Sequence, residues 1–148
     1  MENKIMADLE KYREIEMAYN TAKESNDNSK AEEMITAAQQ FLRETAGKGK
    51  FYEWALKLLD TAKRRGNSHI NIETNISEDD ANGLINCFRE NGVETFTFSA
   101  EHSGSIEAAW FFTRKGCTMD GVVEINARDT NIFISGHEKS YAYLFQVN

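Results

Sequence analysis

Serine, glutamate and histidine come together at Ser99-Ala100-Glu101-His102-Ser103-Gly104-Ser105, between an alternating apolar run and the start of a helical pattern. Such a loop offers two kinds of chemistry. Backbone N–H groups at the helix start can hold an anion or small ligand, and His102 can act as a general acid or base beside Glu101 and Ser99. If the chain is an enzyme, these three are its catalytic candidates. The same residues also make a helix cap and a tight turn without any chemistry. The nucleophile elbow GxSxG, the P-loop pattern and the glycine-rich dinucleotide fingerprint are all missing, so the non-catalytic reading is preferred.

Metal and thiol chemistry have less to build on. His69, His102 and His137 are far apart, and none has a second His or Cys at ligand spacing, so neither metal nor cofactor is expected. Cys87 and Cys117 form no CxxC pair and read as reduced, buried small hydrophobes. The one basic cluster, Lys48, Lys50, Lys57, Lys63, Arg64 and Arg65, has Phe51, Tyr52 and Trp54 interleaved. Glu53 and Asp60 interrupt it and its aromatics belong to a core stripe, so direct nucleic-acid binding is not expected.

The formal charge of the 148-residue chain is −7, unevenly placed. Residues 1–66 hold 12 basic and 12 acidic side chains, and residues 67–148 hold 5 and 12. An acidic half repels nucleic acid and attracts basic surfaces. Glu73, Glu94, Glu101, Glu107, Asp120 and Glu124 are its candidate partner-binding carboxylates. No window approaches the roughly 18 apolar residues of a membrane span, so a soluble, cytoplasmic protein with no membrane partner is expected.

The elements that must position these residues follow from periodicity. Three helices open the chain. The first has the stripe Ile5, Leu9, Tyr12, Ile15, Tyr19 and Ala22; the second begins at a Ser29 cap and carries Ala31, Met34, Ile35, Ala38, Phe41 and Leu42. The third carries Phe51, Trp54, Ala55, Leu58, Leu59 and Ala62. From the third onward, a helix closed by glycine and followed by a strand recurs three times, at Gly66, Gly92 and Gly116. Strands are predicted at 69–73 and 93–99, with Phe96 and Phe98 inward and Thr95 and Thr97 outward. Ser77 caps the helix between them, with Ala81, Leu84, Ile85 and Phe88 on its core side. Ser103 or Ser105 caps the next helix, in which Ile106, Ala109, Trp110 and Thr113 share a face. That sends Phe111 toward Glu107 and Arg114, either onto a partner surface or between two layers. Strands at 119–127, 131–135 and 140–147 follow, with turns at Arg128-Asp129-Thr130 and 136–139.

The sum is one α+β domain of 1–148: an N-terminal three-helix layer over 1–66, then a mixed sheet with two crossover helices and a C-terminal antiparallel meander. The last strand is apolar on both faces, which suits an interior position. Were it an edge, it would offer a dimer interface.

The run Phe88-Arg89-Glu90-Asn91-Gly92-Val93-Glu94-Thr95-Phe96-Thr97-Phe98-Ser99, with Gly116-Cys117 and Gly121-Val122-Val123-Glu124-Ile125-Asn126, resembles the core of small proteins carried on bacterial mobile elements. The likeness covers the α/β half and carries over no site residue. Some proteins of that setting are anti-CRISPR or other anti-defence inhibitors that place an acidic face in the basic groove of a nucleic-acid enzyme. The resemblance therefore implies a non-enzymatic inhibitor whose partner is a basic protein surface, such as that of a nucleic-acid-binding enzyme.

Overall fold

The computed structural model describes residues 1–101, 103–129 and 137–148. The predicted general acid or base His102 and the predicted strand 131–135 lie outside the described residues. Helices α1 (Lys4–Glu24), α2 (Asn28–Ala46) and α3 (Lys50–Arg64) come first, then β1 (Ile70–Ile72), α4 (Glu78–Glu90), β2 (Thr95–Phe98), α5 (Ser105–Arg114), β3 (Thr118–Asp129) and β4 (His137–Gln146). This is the α+β order read from periodicity. Three local expectations are corrected. Asp27, not Ser29, caps α2 by accepting from Lys30 N at 3.1 Å. The chain leaves α1 through Asn26 at φ 57°, with Asp27 N bonded to Ala22 O, so the next helix starts sooner. Gly104, at φ 94° and with no side-chain cap bond, holds the N-cap place of α5, because Asn75 Nδ2 takes the Ser103 carbonyl at 2.7 Å and turns the chain there. Lastly, Arg128-Asp129 and 137–139 are strand, not turn, since they pair with one another across the hairpin.

The sheet order is β1-β2-β4-β3. β1 and β2 are parallel, and β4 runs antiparallel to both β2 and β3. The last strand is thus interior, as its two apolar faces demand, and the route to a dimer through it is closed. β3 does not pair with β2, because β4 inserts between them: Phe145 lies opposite Phe96, their rings stacked at 5.2 Å and 7°. Phe88 of α4 and Phe112 of α5 both pack on Phe96, with ring centroids 5.5 and 5.0 Å away, so both crossover helices cover one face, here called the front. α3 lies against β1 and α4, and α1 rests on α3. The front core is Phe88, Phe96, Phe98, Phe112 and Phe145, all essentially inaccessible. Each stabilises the fold by about 2–3 kcal/mol through burial.

The helix-glycine-strand turns are built as their sequences demand. Gly92 and Gly116 take φ 74° and 90°, and Val93 N and Cys117 N reach back to Phe88 O and Phe112 O at 2.9 and 3.1 Å. Cys117 is buried by this contact, and Cys87 is buried beside Phe88.

The back face departs from the alternation expected of it. Thr97, predicted outward, is 1% exposed, and Asn71 is 7% exposed. The reason is curvature. Two β-bulges in β3, between Met119 and Val122 and between Asn126 and Arg128, accompany the curl of the β3–β4 hairpin back toward the segment before β1. There Asn126 N donates to Asn67 Oδ1 at 2.9 Å, Asn67 Nδ2 to Asn126 O at 2.7 Å, and Asn126 Nδ2 to Arg65 O at 2.7 Å. The four-stranded sheet is thereby drawn toward a half-closed barrel, and Ile125 and Ala142 are buried along with Thr97.

Candidate functional site

Ser99 and Glu101 stand just beyond the carboxyl end of β2, and Glu73 just beyond that of β1. A cleft of about 510 Å³ there is lined by Arg65, Glu73, Ser99, Glu101, Lys139 and Ser140 among others. The side chain of Ser99 is held from within the sheet. Thr97 Oγ1 donates to Asn71 Oδ1 at 2.7 Å, and Asn71 Nδ2 donates to Ser99 Oγ at 3.0 Å, a relay buried beneath the hairpin. Arg65 is taken by Glu73 at 2.9 Å, Glu101 accepts from Ser140 Oγ at 3.4 Å, and Lys139 reaches Asn126 Oδ1. An amide, not a base, partners Ser99, and a hydroxyl partners Glu101. Ser99 is thus hydrogen-bonded to an amide group and not to a general base. Asn67, Asn71 and Asn126 are the residues that sequence reasoning missed. No motif signals an asparagine whose partner is 59 positions away.

A smaller chamber of about 230 Å³ adjoins at Lys139, on the back face, lined by Asn67, His69, Thr97, Ile125 and Asn126 among others. His69 Nδ1 meets Thr95 Oγ1 at 2.8 Å. Burial, helped by the charge of Lys63, lowers its pKa and favours the neutral ring. Burial pushes both thiols up, so neither Cys87 nor Cys117 has thiolate character. Among the described residues no group of three His, Cys, Asp or Glu side chains is placed to hold a metal ion.

The predicted partner carboxylates are all exposed, but they do not form one patch. Glu73 and Glu101 belong to the strand-end cleft, and Glu107 lies in the first turn of α5 above it. Glu94 precedes β2 at the opposite end of the sheet, where Asp120 also sits, accepting from Gln146 Nε2 at 3.2 Å. Glu124 lies opposite Tyr141 across the hairpin. Half of the basic stretch is tied up in ion pairs. Lys48 meets Asp8 at 2.9 Å, Arg64 meets Asp60 at 2.9 Å, and Arg65 joins the helical layer to the sheet through Glu73.

The aromatic surface is not where the helical pattern of α5 put it. Ala108 and Phe112 face the core, Phe111 is half-buried against it, and the face carrying Ile106, Trp110 and Thr113 looks to solvent. Phe112 decides this, because its ring alone fills the space between Phe96, Phe98 and Phe145, at 5.0–5.4 Å from each. Trp110 is left 58% exposed and Ile106 86%. On the same side of the sheet, beyond the cover of the helices, Met119, Val122, Tyr141 and Tyr143 are also exposed, with Val122 opposite Tyr143.

The described residues thus form a small α+β domain with an exposed aromatic face and exposed carboxylates. The chain belongs to the family defined by a domain of unknown function, DUF7698, whose model matches residues 55–147. That match runs from within α3 to the residue after β4. No curated protein and no solved structure matches the chain. No helix among the described residues is long and apolar enough to cross a membrane.

Proposed function

We propose that this protein is a non-enzymatic protein-binding module whose docking surface is the outer face of α5 together with the uncovered front of β3 and β4. The observation that carries it is Trp110, more than half exposed on a helix whose core side is complete without it. Buried aromatic anchors contribute most of the energy of typical interfaces, and a charged rim sets their specificity. Here Ile106, Trp110, Tyr141 and Tyr143 are the anchors, and Glu107, Asp120 and Glu124 are the rim. A rim of carboxylates selects a basic partner. Occupation of the basic groove of a nucleic-acid-processing enzyme, in the manner of an anti-CRISPR inhibitor acting in the cytoplasm, is the form of this function that the charge of the α/β half suits.

The test is affinity capture from a bacterial lysate with wild type, Trp110→Ala and the pair Glu107→Lys and Glu124→Lys. A basic protein retained by wild type at low salt, released at high salt and lost by both variants supports the reading. Retention of no basic protein by wild type, or equal retention by all three, overturns it. The cleft at Ser99 favours a second reading, a small-ligand site beside Arg65 and Lys139. Its signature is a thermal shift with inorganic phosphate that Lys139→Ala abolishes and Trp110→Ala leaves intact.

A further inference from the structure

Asn126 shows how the outer edge of β3 takes a neighbour. Its N–H donates to Asn67 Oδ1 at 2.9 Å and its carbonyl accepts from Asn67 Nδ2 at 2.7 Å, so its backbone groups turn away from β4. Backbone direction alternates along an antiparallel strand. In the register of Val122 with Tyr143, Glu124 with Tyr141 and Asn126 with Lys139, Val122 and Glu124 therefore also turn their N–H and C=O groups outward, while Val123 and Ile125 bond to β4. The other side of β4 agrees: Val147, of the same parity as Tyr141 and Tyr143, donates its N–H to Glu94 O at 2.8 Å, away from β3. Asn67 satisfies the groups of Asn126. Among the described residues nothing takes those of Val122 and Glu124, and both residues are exposed.

We propose that these groups receive an extended segment of a partner protein, added to the outer edge of β3, with an apolar residue beside Val122 and a lysine or arginine beside Glu124. The inference rests on the protein-binding reading above and names the form the partner takes. In strand addition the backbone bonds supply affinity and the side-chain neighbours supply choice. Residues directly opposite one another share a face, so two positions of the segment, one residue apart, lie at the front against Val122 and Glu124. Val122 is 57% exposed and calls for apolar cover. Charge selects the other position. Residues 118–127 contain Asp120 and Glu124 and no lysine or arginine. Asp120 is already held by Gln146, whereas Glu124 forms no ion pair among the described residues. The residue between the two turns to the back, where the chamber of about 230 Å³ beside Val123 and Gly66 leaves room for a small polar side chain. Asn67 closes the row at Asn126, and the bulge with Gly121 at φ 99° closes it at the other end, so the edge admits a short segment. A second copy would bring the same two carboxylates, in a half that carries the whole excess of −7.

The probe is a fluorescent peptide of lysine and valine at alternate positions separated by threonine, beside a control of the same composition with its lysines and valines in separate blocks. Titrated to about 1 mM against the full chain, the alternating peptide is expected to bind about 10-fold more tightly than the control. Glu124→Lys should weaken it by about 10-fold or more, because like charges then face each other. Val122→Pro removes an outward N–H that no bond within the fold uses, and should abolish binding while leaving the melting temperature nearly unchanged. Hydrogen exchange on wild type needs no variant. With peptide, the amides of Val122 and Glu124 should gain protection, and those of Val123 and Ile125, already bonded to β4, should change little. Any of four results overturns the proposal: no binding to wild type at the highest concentration, equal binding of the two peptides, binding that Val122→Pro leaves intact, or no added protection at Val122 and Glu124. Protection there that rises with protein concentration in the absence of peptide also overturns it, by making a second copy the occupant. The peptide carries nothing for the Trp110 helix, so its failure leaves the lysate capture to be judged on its own result, and failure of that capture leaves the peptide result standing.

Discussion

Asn67 and Asn126 bind each other's polar groups across the open side of the sheet: the Asn67 side chain accepts from the backbone N–H of Asn126 and donates to its carbonyl. A side-chain amide thus takes the place of a strand neighbour at the outer edge of β3, and Asn126 Nδ2 completes the tie at Arg65 O. This pair links the loop after α3 to the far strand of the sheet. It blunts an edge that would otherwise show free backbone groups, and it shapes both the chamber and the strand-end cleft.

Asn67→Ala removes two of those bonds and leaves a partly buried N–H and C=O without partners. A loss of about 1–3 kcal/mol in denaturant unfolding is expected, with fast exchange of the Asn126 amide. Unchanged protection of that amide would show that the tie does not hold the hairpin.

Thr97→Val is nearly isosteric but strips the donor from buried Asn71 Oδ1. Urea melts should show a loss of about 1–3 kcal/mol, while Thr97→Ser, which keeps the hydroxyl, should lose less. A Thr97→Val variant as stable as wild type would remove the relay from the account, because that substitution keeps the methyl group and gives up only the hydroxyl.

Gly83 sits where α4 crosses α3, and a Cβ there would lie 2.1 Å from the Phe51 ring. Gly83→Ala is therefore expected to cost about 1–3 kcal/mol despite the better helix propensity of alanine. In a Phe51→Ala background the same change should become neutral or stabilising, a coupling that a double-mutant cycle measures.

Asp8 accepts from Tyr52 and pairs with Lys48 at 2.9 Å. Burial opposes its ionisation, but the Tyr52 hydroxyl and the Lys48 ammonium outweigh it and hold the carboxyl below its ordinary value. Tyr52 is shifted the other way, by burial first and then by Asp8. The signs follow from linkage. The Asp8 contribution is whole above the unfolded value of about 4 and fades as pH falls through the folded pKa; the Tyr52 contribution is whole below about 10 and fades as pH rises past it. Asp8→Asn should flatten the acid limb of a stability profile, and Tyr52→Phe the alkaline limb. A wild-type acid limb that Asp8→Asn leaves unaltered would remove Asp8 from the account.

How far the sequence could be read depended on the range of the interaction. The Ser77 cap, the glycine turns after Phe88 and Phe112 and the core side of α4 were legible, because each partner lies within six residues. The interior place of β4 was legible too, since a strand apolar on both faces has nowhere else to go. The roll of α5 was not: its 10 residues offer several hydrophobic faces, and only the ring cluster of Phe96, Phe98 and Phe145 shows that Phe112, not Trp110, points inward.

The sequence by itself therefore determined the order of helices and strands, the mixed sheet and the separation of a neutral helical part from an acidic one, because periodicity, caps and charge are local properties. The tertiary structure alone decided that β4 would part β3 from β2, that the back of the sheet would close over Thr97 and Asn71, and that Trp110 would be left on the surface. Each of these is a competition for the same space among residues distant in the chain. Such competitions are settled by packing and by satisfying buried polar groups, neither of which exists until the layers meet.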